Sequence, residues 1–231
     1  MTRFRGPVVI LGGHGQVGQI LTRQLVTKGV PVRSVIRKGR QVAAVEELGA
    51  EAVIFNLEAL NASDLAGVLT GASAVVFAAG AGPGSEARRK RTVDYGASVL
   101  GQRAAMEEGV SRFIQISAYG LQFPVDEDAS DNWREYVRAK RDADLELMES
   151  TLDWTIVRPT RLTNDPGRGR ISAGIDVLAD ENPLPIPRED VASVVVALLE
   201  GNDLLVRESI DIAGGDTPVD RALAELTWLN P

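Results

Sequence analysis

The chain has no cysteine and a single histidine among its 231 residues. Without thiols there is no disulfide framework, no thiolate nucleophile and no cysteine metal site, and one imidazole cannot build a histidine cluster. No apolar run reaches the roughly 18 residues that would cross a bilayer, and the longest, around residues 191–199, suits a buried helix. The opening Met1-Thr2-Arg3-Phe4-Arg5 leads almost at once into an apolar run and lacks the h-region of a signal peptide. Positive charge is scarce too. Lys and Arg number 25 against 32 Asp and Glu, a formal net charge of −7, so the basic footprint that nucleic acid or an anionic membrane requires is missing. The expectation is a cytoplasmic chain without a metal, a nucleic-acid partner or a membrane partner. One local exception, Arg88-Arg89-Lys90-Arg91, is either a solvated helix face or an anion contact near a substrate mouth.

What is present is ordinary for a globular protein, with 44% apolar and 25% charged residues. The length favours one domain spanning 1–231 with a small appendage. Short apolar runs at 7–11, 32–36, 52–55, 74–79, 113–117, 154–157 and 210–212 read as strands. Between them, helical spacing marks 16–29, 40–48, 64–69, 86–108, 133–149, 189–199 and 218–229. Residues 164–187, rich in proline and glycine, read as an irregular excursion. Such alternation predicts an α/β fold, a Rossmann-type doubly wound parallel sheet with helices on both faces. A small C-terminal substrate-side region is left to 160–187 and 214–231. In these sheets ligands bind beyond the carboxyl ends of the strands.

The segment Gly12-Gly13-His14-Gly15-Gln16-Val17-Gly18 stands there, between the first strand and its helix. It reads as G-x-x-G-x-x-G on Gly12, Gly15 and Gly18, or as G-x-G-x-x-G on Gly13, Gly15 and Gly18. Glycine permits the tight turn and lets a pyrophosphate approach the backbone, while the helix opening at Gln16 and Val17 offers free N–H groups and a positive dipole end. The bland alternative is a tight turn with no ligand; the strand–helix context points to a dinucleotide. His14 reads as a loop residue over the pyrophosphate, not as a base. After the second strand, where an NAD site usually carries an acid, the chain reads Ile36-Arg37-Lys38-Gly39-Arg40, with no acid until Glu46. Guanidinium and ammonium groups there favour the 2′-phosphate of NADP over NAD, unless the turn is merely exposed.

Tyr136 and Lys140 lie four apart on a predicted helix and hence on one face. An ammonium near the phenol would lower its pKa toward the range useful for proton transfer, and could also hold a cofactor ribose. Ser117, ending the fifth strand, could bind a substrate oxygen.

In this order the glycine loop, Ser117, Tyr136 and Lys140 resemble the short-chain dehydrogenase/reductase superfamily. More closely, the chain is similar to its atypical NAD(P)-binding members, the short epimerase-like and NmrA-like proteins. The resemblance covers essentially the whole chain, including Thr155-Ile156-Val157-Arg158-Pro159 and Pro187-Arg188-Glu189-Asp190-Val191-Ala192. It implies that Asn56-Leu57 and Ala78-Ala79-Gly80 flank adenine and ribose, and that the segment from Pro159 and Thr160 passes the nicotinamide. Asp94 stands where extended members carry an asparagine, which resembles an atypical subgroup; it could support a water relay. The extended epimerases use a large C-terminal half that is missing here, so a sugar nucleotide is a poor substrate. The resemblance implies an NADPH-dependent oxidoreductase acting on a small carbonyl, quinone or flavin. A non-catalytic NADP-binding sensor and an epimerase-like enzyme are the alternatives, and an oligomer is left open.

Overall fold

All four residues of β1 (Val8–Leu11) are withdrawn from solvent, and they alternate between two cores. Val8 and Ile10 join a cluster with Leu21, Leu25 and Val195, whereas Val9 and Leu11 join one with Leu65, Phe77 and Phe113. A strand enclosed on both sides has no solvent face, which is why its sequence is continuously apolar. Each such side chain contributes about 1.5–3 kcal/mol on burial.

The computed structural model describes residues 4–59, 61–82, 84–175, 183–201 and 204–229. From β1 the chain runs through α1 (Gln16–Thr27), β2 (Val32–Ile36), α2 (Val42–Glu46), β3 (Glu51–Ile54), α3 (Ala62–Leu69), β4 (Ala74–Phe77) and α4 (Ala87–Arg89). A π-helical stretch, Lys90–Ala97, joins α4 to α5 (Ser98–Glu108), and then come β5 (Arg112–Ile116), α6 (Asp131–Glu149) and β6 (Asp153–Pro159). The remainder comprises β7 (Leu162–Thr163), β8 (Arg170–Ile175), β9 (Ile186–Pro187), α7 (Arg188–Glu200), β10 (Glu208–Gly214), β11 (Thr217–Pro218) and α8 (Val219–Leu229). Among the described residues, nine strands form one sheet in the order β11-β8-β10-β6-β5-β4-β1-β2-β3. Pairings from β3 across to β10 are parallel, whereas β8 runs antiparallel to β10 and β11 to β8. One core is built with α1, α7 and α8, the other with α3, α5 and α6. This is the expected doubly wound fold. Its strand order reverses between β1 and β4, which opens a crevice at their carboxyl ends.

Local chemistry sets several boundaries. Asn61 caps α3 by accepting the Asp64 N–H at 2.9 Å, and Ser130 caps α6 by accepting that of Trp133 at 3.2 Å. The latter bond starts α6 two residues before the predicted 133. A 3₁₀ turn at Gly39–Gln41 shortens the predicted helix over 40–48. The expected helix over 86–108 is interrupted by the π-helical stretch. The excursion over 164–187 is not wholly irregular, because it carries β8. There Ile171, Ala173 and Ile175 alternate onto the core beside β10. Residues 176–182 of that excursion lie outside the described residues. No helix among the described residues is long and apolar enough to cross a membrane.

Candidate dinucleotide cleft and catalytic side

The crevice between β1 and β4 is a cleft of about 300 Å³ lined by Gly12, His14 and Gly15 from the first loop. Ile36 and Arg37 line it from the end of β2, Asn56, Leu57 and Glu58 from β3, and Ala78, Ala79 and Gly80 from β4. The glycines divide into two roles. A Cβ at Gly12 would come within 2.7 Å of the Ala79 backbone, one at Gly13 within 2.5 Å of Ser34, and one at Gly18 within 2.6 Å of the Gly12 carbonyl. Gly12 also has φ +95°, a region that L side chains avoid. These three are demanded by packing. A Cβ at Gly15 would lie 3.2 Å from the Gly12 carbonyl, a contact relieved by a shift of a few tenths of an ångström. Its bareness serves the cleft. Gly15 is also the N-cap of α1, with no side-chain cap and no acid in the first turn, so the helix opens on undirected N–H groups. Gln16 is exposed and Val17 packs into the core, so these two can serve a ligand only through their backbone. This cradle fits a pyrophosphate.

At the far end of the cleft the expected absence of an acid does not hold. Glu58, following β3, accepts from Arg37 at 3.2 Å, from Arg89 at 3.4 Å and from the Thr92 hydroxyl at 2.7 Å. Burial pushes its carboxyl upward, but the Thr92 bond and the two guanidiniums outweigh this and hold it below the usual range. Lys38 is exposed and does not line the cleft; its N–H and that of Arg37 both donate to Gln41 Oε1. Of the basic run, Arg89 lines the cleft, Lys90 donates to the Gly82 carbonyl at 2.8 Å and Arg91 pairs with Asp142.

The loop after β4 leads to the second half of the site. Asp94, buried on the π-helical stretch, accepts the Ala81 N–H at 3.1 Å, so its carboxylate fixes the backbone beside Gly80. Tyr136 and Lys140 both lie within its field. Lys90 Nζ stands 5.2 Å from the centre of the Tyr136 ring. Burial first, then the charges of Asp94 and Asp144, push the Tyr136 phenol above its ordinary range, opposite to the lowering expected from Lys140. Lys140 is itself pushed down by burial, against the raising effect of the same two carboxylates. It gives one of its three donors to the Ile116 carbonyl at 2.8 Å. Ser117 turns from the cleft and donates to Asp144 at 2.9 Å. That carboxylate also accepts from Gln115 at 2.6 Å and from Arg158 at 3.1 Å. Neither Ser117 nor Lys140 is hydrogen-bonded to Tyr136.

Pro159 and Thr160 are not among the residues lining this cleft, and backbone and side-chain bonds tie the end of β6 to its neighbours. The Pro159 carbonyl accepts from Tyr119, and Thr160 donates its N–H to Ile212 and its hydroxyl to Leu184. Two residues that the sequence did not single out are Glu58 and Asp144, whereas Arg89 stood in the basic run, with an anion contact as one of its two readings. For Asp144 the signal was present: Tyr136, Lys140 and Asp144 repeat at four-residue intervals on one face of α6.

Residues 12–202 match the family model described as NAD(P)H-binding. The uncharacterized sugar epimerase YhfK of Bacillus subtilis (strain 168) is 36% identical over 220 residues, covering 95% of this chain and 99% of that one. Among solved structures, a putative NAD-dependent epimerase/dehydratase from Bacillus halodurans superposes with a TM-score of 0.86 at 32% identity, over 96% of this chain and all of the other. The oxidoreductase ylbE from Lactococcus lactis gives 0.81 at 28% identity, over 96% and 97%. With the cradle at Gly15 and the Rossmann order of strands, these similarities mean that the chain belongs to the NAD(P)H-binding family of the atypical short-chain dehydrogenase/reductase superfamily.

Proposed function

We propose that the protein is an NADPH-dependent oxidoreductase that reduces a small carbonyl, quinone or flavin. The observation that carries this reading is the bare Gly15 cradle at the opening of α1, in a cleft whose closing loop is tied through Lys90 to the Tyr136 ring. A reduced nicotinamide, when bound, supplies a hydride. Gly15 and the opening of α1 would hold the pyrophosphate, Asn56 and Leu57 the adenosine, and Arg37 with Arg89 a 2′-phosphate. Tyr136 holds the proton that a substrate oxygen takes up as it gains electron density, and Lys90 over its ring favours the charge left behind. The resting phenol carries its proton and can only donate it; because the upward shift also makes it a weaker acid, delivery depends on stabilising the phenolate left behind.

A second reading, an NADP-binding sensor without turnover, is favoured by Ser117, whose only proton is given to Asp144. Following NADPH absorbance over a panel of carbonyls, quinones and flavins separates the two. Turnover is expected, with a loss of about 10²–10⁴-fold in Tyr136→Phe, the usual cost of removing a general acid. Undiminished turnover in that variant would remove Tyr136 from the reaction; no turnover with any acceptor would favour the sensor.

A further inference from the structure

Two guanidiniums and a hydroxyl converge on the single carboxylate of Glu58, at the edge of the cleft. Arg37 comes from the end of β2 and Arg89 from the end of α4, so the two cations are brought together across the cleft wall by the fold. Two like charges this close repel unless an anion lies between them, and the anion here belongs to the chain. The hold is loose. The ion pairs measure 3.2 and 3.4 Å, and the side chains of Arg37 and Arg89 are 41% and 38% exposed. Solvent-exposed pairs of this kind contribute little and exchange partners readily.

The charge count says what could replace Glu58. Arg37 and Arg89 together carry two positive charges, of which one carboxylate balances one. A phosphate monoester carries about −1.5 to −2 at neutral pH and presents three acceptor oxygens. It matches two guanidiniums and a hydroxyl better than a carboxylate does, but it does not fit beside one, because the seat would then be overfilled with negative charge. We propose that Glu58 is an internal anion occupying the seat of a nucleotide 2′-phosphate between Arg37 and Arg89, and that it thereby sets discrimination between phosphorylated and unphosphorylated dinucleotides. This rests on the cofactor reading above, in which Arg37 and Arg89 hold the 2′-phosphate, and extends it: Glu58 becomes a competitor that the phosphate must displace. With NADH no displacement is needed, and Glu58 stays on the two arginines.

The test is fluorescence titration of the full chain with NADPH and NADH, in wild type, Glu58→Gln, Glu58→Asp and Arg89→Ala. Glutamine keeps the shape and removes the charge. The ratio of NADPH to NADH affinity should rise about tenfold in Glu58→Gln, the size of one charge-assisted hydrogen bond. Glu58→Asp, which keeps the charge, should stay near wild type, and Arg89→Ala should lower the ratio several-fold. A ratio in Glu58→Gln within twofold of wild type would overturn the proposal while leaving the cofactor reading intact. Failure of wild type to bind either dinucleotide would overturn both.

Discussion

Asp144 is buried to 2% exposure and gathers three donors, from Gln115 at 2.6 Å, Ser117 at 2.9 Å and Arg158 at 3.1 Å. Asp144→Asn preserves volume and one oxygen but turns an NH₂ group toward donors that previously met a carboxylate. At least one donor must then face another donor, and the charge opposite Arg158 is lost. A hydrogen bond to a charged group contributes about 1.5–3 kcal/mol, and stranding one ion of a buried pair costs about 3–5 kcal/mol. Arg158 has a further interaction, so the loss should sit near the bottom of the second range, about 3 kcal/mol. For a chain of 231 residues that corresponds to a fall in Tm of about 6–12 °C. The control is Asp142→Asn on the same helix, whose ion pair with Arg91 is partly exposed at 32% and should contribute about 1 kcal/mol or less. Thermal unfolding followed by circular dichroism measures both. If Asp144→Asn melts within error of Asp142→Asn, the carboxylate is not the hub that the hydrogen bonds describe.

Gly15→Val should abolish dinucleotide binding in calorimetry while Tm moves by only a few degrees, because the added side chain meets mainly cleft space; wild-type affinity would mean that the loop does not hold the pyrophosphate. Tyr136 predicts a pH dependence. Its folded phenol is raised above the unfolded value of about 10, so its contribution to stability is complete below about pH 10. Above that, the unfolded chain releases the proton first and the contribution is lost as pH rises. Urea unfolding between about pH 8 and 11 should therefore show wild type losing more stability than Tyr136→Phe; parallel curves would refute the assignment.

The parts of the fold that were legible are those written locally. β1 is apolar throughout because it is buried on both faces, and the glycines that follow are spaced by the turn they make. The antiparallel strand β8 escaped notice although its pattern was there: Ile171, Ala173 and Ile175 alternate, but glycines and prolines on either side invited a reading as loop. The π-helical stretch has no mark in the sequence. Its buried Lys90 and Asp94 are tied to the loop after β4, to Gly82 and Ala81, and these are tertiary bonds. Glu58 was invisible for a similar reason. A search for an acid near Arg37 looks along the chain, whereas Glu58 arrives from the neighbouring strand, where Ile36 is in register with Ile54.

At the catalytic side the motif conveyed which residues share a face, but not which atoms they bond. Four-residue spacing places Tyr136, Lys140 and Asp144 along one side of α6 whatever their partners. What decides the chemistry is the direction of each hydrogen bond. A serine hydroxyl has one proton, and that of Ser117 goes to Asp144. Its oxygen can then only accept. In this arrangement Ser117 cannot stabilise a developing oxyanion; it can only receive a proton-bearing group, such as a product hydroxyl. Donation by Ser117 to the substrate would require breaking its bond to Asp144, a carboxylate already held by Gln115 and Arg158. The same bond that steadies the core thus constrains which step Ser117 can serve.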